Sequence, residues 1–381
     1  MNSNLGGRHQ GGAEVERSCI NFLCEKAGFT TNCTQPFGVL TQGSSQATIN
    51  ALCAARTYTF GYDVRKTGLY GLPPVRLYCS SAAHSCLSRA MECLGHGSNS
   101  VVMVPVDPET GSMQIDKLQQ LVEQDKADGF VPMAIVGTAG SVTVGAYDDF
   151  AALADVATAH NVWFHVDAAF GFWTRLSQDH RVKSLTNNID QANSICLDAH
   201  KWPGVNYDCG VLLVRDKDHL RSTFASRPAY LQSANEGLAG GDLWFTDYSL
   251  DLSRGFRALK LWTALRVAGT DKIGAVITDH CKLAFKMGEL AKASLFLELA
   301  HPVISNICCF YIKPAIMNGT LPTAAEIAAE LQLKRICVFS TVAIDNKDCL
   351  RAAIVNHRIT PIDVEEVMIA VEDAIKGRIN A

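Results

Sequence analysis

No stretch of this 381-residue chain approaches the roughly 18 consecutive apolar residues that a membrane helix needs, so a spanning protein is not expected. The first residues, MNSNLGGRHQGGAEVERSC, lack the apolar core of a secretion signal, and the chain reads as cytoplasmic. Without export, the sequons at Asn32 and Asn318 carry no meaning. There is no basic block, and 34 Lys and Arg against 38 Asp and Glu leave a formal net charge of −4, so nothing favours nucleic acid. Both G-x-G-x-x-G and a Walker loop are missing, which argues against a dinucleotide or a nucleoside triphosphate. C-x-x-C and H-E-x-x-H are missing too, and no metal site is expected. The 14 cysteines are scattered, several of them inside apolar runs (Cys79, Cys196, Cys308, Cys309). They read as buried free thiols.

What is present is a regular alternation. GAEVERSCINFLCEKAGF carries apolar residues at helical spacing, Val15, Cys19, Phe22 and Leu23, and ends at Gly28. GVLTQGSSQATINALCAARTYTFGY then reads as a short strand, a small polar turn and an alanine-rich helix. Short apolar runs follow at 75–80, 100–106, 131–139, 161–169, 193–199 and 209–215. Helical patterns such as QIDKLQQLVEQDKADG and DDFAALADVATAH separate them. Runs apolar throughout, with helices between, predict a mainly parallel α/β sheet covered on both faces. From about Gly255 a long helical stretch leads into three closer strand-like runs and a final helix. This predicts a large α/β domain over 1–285 and a smaller α+β domain over 286–381.

In an open α/β sheet, ligands bind at the carboxyl ends of the strands, so the residues after each run are the candidates. Gly43, Ser44 and Ser45 open a helix, where backbone N–H groups and two hydroxyls make a phosphate cradle. His84 follows the next run, and Thr138, Gly140 and Ser141 follow the third, small enough for close approach to the backbone. Asp167 ends a strongly apolar run, where an unpaired carboxylate would be costly. Lys201 stands in DAHKW, between two runs that read as buried strands. Each has a plainer explanation: serine as a helix cap, a structural histidine, a lysine on a surface turn. Together they describe a site for pyridoxal 5'-phosphate, with Lys201 holding the aldehyde as a Schiff base and Asp167 keeping the pyridine nitrogen protonated. Partial burial near cationic groups is expected to depress the lysine pKa from its usual value of about 10.4.

The segments GVLTQGSSQATINALCAAR, AAHSCLSRA, VGTAGSVTVGAYDD, HVDAAFGFW, DAHKW and DLSRGFRALKLW, in that order, resemble the group II pyridoxal-phosphate-dependent amino-acid decarboxylases. The resemblance covers nearly the whole chain. It implies the aspartate-aminotransferase-like fold (fold type I), with a mainly parallel seven-stranded sheet and a smaller C-terminal domain. It implies Lys201, His84 and Asp167 as catalytic residues. Ser44 and Ser45 would hold the phosphate, with His200 beside it. Ala169 would pack against the ring, His84 would stack on the opposite face near the substrate carboxylate, and Thr138 and Ser141 would line the pocket. Arg254 would lie near a dimer interface. The reaction implied is decarboxylation of an L-amino acid, aromatic by the closeness of the motifs, to an amine and CO2 in a homodimer.

Two departures from the family pattern bear on this. Relatives carry a further N-terminal arm that, by the resemblance, interlocks the dimer and contributes to the substrate pocket; the sequence is short of it. The lid loop at 231–247 carries no tyrosine, although many relatives use one there to return the Cα proton. Relatives without it can instead yield an aldehyde by decarboxylation and deamination. That outcome, and a catalytically inactive relative, stand as the alternatives.

Overall fold

The apolar runs become strands because each is short, β-branched or aromatic, and bounded by Gly, Asn, Asp or Pro. In the computed structural model, which describes residues 10–29, 35–226, 244–314 and 322–379, seven of them form one sheet. They are β1 (Phe37–Thr41), β2 (Val75–Ser80), β3 (Val101–Val104), β4 (Val131–Thr138), β5 (Trp163–Asp167), β6 (Ser194–Asp198) and β7 (Gly210–Val214). The order is β1-β7-β6-β5-β4-β2-β3. β2 to β6 and β3 pair in parallel, and β7 alone is reversed against both β6 and β1. β1, β5, β6 and β7 are buried at every position, as a sheet covered on both faces requires.

Around this sheet lie α1 (Gly11–Ala27), α2 (Ser44–Phe60), α3 (Val64–Thr67), α4 (Cys86–Cys93), α5 (Ile115–Ala127), α6 (Phe150–His160), α7 (His180–Ser184) and α8 (Lys217–Phe224). α1 stops at Gly28, which takes the left-handed conformation (φ 86°) and bonds back to Cys24 and Glu25. α6 starts at Asp149, whose carboxylate accepts the N–H groups of Ala151 and Ala152. α2 packs across β4 to β7, so its first turn lies over the carboxyl ends of the central strands.

α9 (Arg257–Ala293) is broken at Gly269, whose φ of 75° and ψ of 163° leave the helix. Beyond it come β8 (Leu297–Leu299), β9 (Ile307–Ile312), α10 (Ala324–Leu333), β10 (Ser340–Ile344), β11 (Lys347–Ala353) and α11 (Pro361–Ile379). These strands form an antiparallel sheet in the order β10-β11-β9-β8. β8 was not foreseen: three residues with one fully buried side chain leave no alternation to read. The expected boundary at 285 falls within α9. Ile277, Cys281 and Phe285 pack against the large core, and Leu283, Ala284 and Met287 into the small one, so the helix serves both cores over 281–287.

Among the described residues no helix is long and apolar enough to cross a membrane, and the 13 described cysteines are unbridged.

Candidate active site

Strand ends bring the candidate residues to one place. The turn after β1 supplies Ser44 and Ser45, the turn after β2 His84, β4 Thr138, β5 Asp167 and Ala169, and the connection after β6 His200 and Lys201. All eight line one cavity of about 440 Å3, within the size range of small-molecule sites. Thr138 and Asp167 are register partners on β4 and β5. The reversed β7 brings Gly210 against the cradle, where a Cβ would stand 2.4 Å from Gly43 Cα. Only glycine permits that approach.

Lys201 answers to an acid that sequence reasoning missed. Its Nζ lies 3.0 Å from Oδ2 of Asp198, the last residue of β6, whose side chain is 3% exposed. Asp198 Oδ1 accepts the Ser44 N–H at 2.8 Å, so one carboxylate ties the lysine to the start of α2. Its signal was the one that marked Asp167: a carboxylate closing an apolar strand. The expectation of a depressed lysine pKa is corrected. Burial does pull the ammonium down, but Asp198, through its charge and hydrogen bond, together with Asp167, outweighs it and leaves the pKa raised. The neighbours are anions, not cations.

His200 accepts the Cys209 N–H at Nδ1 (2.9 Å), which assigns its proton to Nε2, 3.6 Å from Asp198 Oδ2. Burial lowers its pKa, with Asp198 opposing, so the ring is neutral near pH 7. It stacks on Tyr207 at 4.1 Å. His84 sits exposed at the cavity lip, with Nδ1 accepting the Cys86 N–H at 3.1 Å.

Asp167 is 8% exposed, and its Oδ1 accepts the Ala169 N–H at 3.1 Å and the Cys196 thiol at 3.5 Å. Next to Ala169, Phe170 stacks on Trp202 at 4.8 Å, and Trp202 donates to His280 Nδ1 at 3.0 Å. Thr138 is pinned by Asp148, which accepts its N–H at 2.7 Å and that of Met113 at 2.6 Å. Burial pushes the Asp148 pKa up to about 6.

Ser141 is placed differently from the other candidates. Its hydroxyl accepts the Ala146 N–H at 3.0 Å and closes its own turn, while Gly140 and Val142 on either side reach the cavity wall. Arg254 is buried within the chain, bound by both guanidinium N–H groups to Glu16 of α1 (2.7 and 2.9 Å) and to the Leu40 carbonyl (3.1 Å). Phe170, Tyr207 and Val142 are wall residues that the sequence did not single out, because each reads as ordinary core or loop. Residues 231–243 of the segment expected to be a lid, with Tyr230, lie outside the described residues, as do Asn32 and Asn318. No group of His, Cys, Asp and Glu among the described residues is arranged to hold a metal.

Two buried hydroxyls test what the cavity fits. Ser44 Oγ, at the start of α2, and Thr138 Oγ1, at the end of β4, line it without a hydrogen-bond partner among the described residues. Buried hydroxyls are rarely left so. Phosphate oxygens at a helix start and the polar substituents of a pyridine ring are groups of the required kind, and the amine and acid suit the aldehyde and ring nitrogen of the same molecule. Fold and site together therefore define a pyridoxal-phosphate-dependent protein of fold type I.

More narrowly, the chain belongs to the pyridoxal-dependent decarboxylases, since residues 12–313 match the pyridoxal-dependent decarboxylase conserved domain. It is 26% identical over 366 residues to an aromatic-L-amino-acid decarboxylase of Bacillus atrophaeus, covering 95% of this chain and 73% of that one. It is 30% identical over 278 residues to a phenylacetaldehyde synthase of Arabidopsis thaliana, covering 73% of this chain and 55% of that one. Among solved structures, mouse CSAD in apo form matches with a TM-score of 0.86 at 25% identity, over 96% of this chain and 76% of that one. Oryza sativa TDC with PLP and tryptamine matches with a TM-score of 0.88 at 22% identity, over 97% of this chain and 76% of that one. The chain thus spans about half to three quarters of the length of these relatives.

Proposed function

We propose that the chain decarboxylates an aromatic L-amino acid to the corresponding amine and CO2, as a homodimer. The observation that carries the reading is the placement of Lys201 Nζ 3.0 Å from Asp198, in one cavity with Asp167, on a chain of this family. Bound pyridoxal phosphate supplies an electron sink for the bonding pair left at Cα as CO2 departs. Lys201, whose ammonium form Asp198 favours, would hold the aldehyde carbon through Nζ once that nitrogen is neutral. Asp167, with Oδ1 already engaged, would accept from a protonated ring nitrogen through its other oxygen. Ser44 and Ser45 would hold the phosphate with their hydroxyls, the Ser44 N–H being engaged by Asp198, and His200 would donate Nε2–H beside them. Ala169 is small enough for a flat ring to lie close to the backbone. His84, at the lip, orients the substrate carboxylate, and orientation selects the bond that breaks.

An aromatic substrate is supported by Phe170, Tyr207 and Val142 in the wall and by the aromatic-amino-acid decarboxylase relatives. A homodimer is supported by the exposed apolar side chains of α9, Leu259 and Val267, which line a groove with Val205 and Asn206 of the connection that carries Lys201. A second reading, aldehyde formation, is supported by the lack of tyrosine in 231–247 and by the similarity to phenylacetaldehyde synthase.

One experiment separates them. The purified full chain, supplied with pyridoxal phosphate, is given tryptophan, tyrosine, phenylalanine, glutamate and cysteine sulfinate in turn, and CO2, amine, aldehyde and peroxide are measured. Amine equal to CO2, without peroxide and with an aromatic substrate, is the expected result. Peroxide and aldehyde in step with CO2 would establish the second reading, and no CO2 from any substrate would leave an inactive relative.

A further inference from the structure

Below the residues assigned to the cofactor lies a pair of side chains that this chemistry does not use. Cys196 is the register partner of Asp167 between β5 and β6, so the two side chains leave the sheet on the same face. It is fully buried, its Sγ is 3.5 Å from Asp167 Oδ1, and it is 3.7 Å from Thr48 Oγ1 on α2. Thr48 is also fully buried, one turn along the helix from Ser44. Burial drives the Cys196 thiol well above its ordinary pKa, with the Asp167 charge adding to the effect. The sulfur therefore keeps its proton at every working pH and is a donor. With the S–H directed at the carboxylate, the Thr48 hydroxyl is left to donate to the sulfur.

We propose that Cys196, braced by Thr48, is a positioning residue that fixes the Asp167 carboxylate for the cofactor's ring nitrogen. This rests on the reading of Asp167 as that nitrogen's partner. Two donors, the Ala169 N–H and the Cys196 thiol, occupy Oδ1 from within the protein. No hydrogen bond to Oδ2 is present among the described residues, so rotation of the carboxylate is blocked while its second oxygen stays available. The plainer role for Cys196 is a small apolar filler between α2 and the sheet, and the test must tell the two apart.

The measurement is made on the full chain loaded with pyridoxal phosphate, as the cofactor's dissociation constant and the pH midpoint of its visible absorbance. Cys196→Ala removes the donor and is expected to weaken binding about tenfold and to move the midpoint by about one unit. Cys196→Ser keeps a donor and recovers most of both, and Thr48→Val moves both in the same direction by less. Cys308→Ala, an equally buried thiol in the smaller sheet, should move neither. The inference is overturned if Cys196→Ala binds and titrates as the unmodified chain does. It is also overturned if Ala and Ser disturb both readouts equally, since volume alone would then matter. Should Cys196→Ala not fold, Ser and Thr48→Val decide by the same criteria. An unmodified chain that takes up no cofactor overturns the reading of the site and this inference with it.

Discussion

Asp198 is the residue on which the electrostatics of the cavity turn. Its carboxylate holds Lys201 as an ammonium, yet binding an aldehyde needs the neutral amine. Because the pKa is raised, the neutral fraction grows only as pH climbs, and cofactor uptake should quicken with pH through the alkaline range. Asp198→Asn removes the charge and should shift that profile to lower pH. Stopped-flow uptake of pyridoxal phosphate as a function of pH checks this, and an unshifted profile would contradict it. His165, two residues before Asp167, gives a second test. Burial, partly opposed by Asp167, lowers its pKa to about 4 from 6.5. A depressed histidine contributes stability that is present above the unfolded pKa and lost as pH falls through the folded one, here about 3 kcal/mol in all. Asp148, raised to about 6, acts in the opposite sense over the same window, so the comparison must be differential. His165→Asn should lose less thermal stability than the unmodified chain between pH 7.5 and 5, read as Tm. At this scale the sequence was partly legible. Asp167 and Lys201 stand out because a charge interrupts an apolar context. Asp198 closed its run without drawing notice, and Ser141 looked like a wall residue although its turn claims the hydroxyl.

Among the elements, the start of α2 and the start of β7 are locked together by the Gly210–Gly43 approach. Gly210→Ala would drive a methyl group into backbone, which cannot yield as a side-chain end can. The expected loss is about 2 kcal/mol or more, with weaker cofactor binding, because the cradle moves away from His200 and Lys201. Gly377→Ala, at an exposed position of α11 with open space at the Cβ, should instead be neutral or stabilising by up to about 1 kcal/mol. Chemical denaturation of the two variants checks both signs. The seven strands of the large sheet were legible because buried strands are short, apolar and punctuated. The reversal of β7 was not read, although its cause is in the chain. The connection 199–209 contains no helix, and a parallel pairing needs a crossover that usually carries one. The same helix-free connection is what leaves Lys201 at the strand ends.

For the whole molecule, the change of pattern near Gly255 signalled a second lobe, but periodicity cannot show one helix serving two cores. α9 does so, with Phe285 on the large core and Leu283, Ala284 and Met287 on the small one. The ion pair of Arg254 with Glu16 ties α1 to the segment just before α9, a contact across most of the chain that no local pattern announces. The folded molecule thus places strand ends, α2 and the 199–209 connection around one amine. The central claim is that Lys201 is the amine that takes the cofactor. Borohydride reduction of the full chain with pyridoxal phosphate, followed by peptide mass mapping, tests it most directly. The predicted result is a single reduced adduct on Lys201, lost in Lys201→Ala; an adduct confined to another lysine, or none, would contradict it.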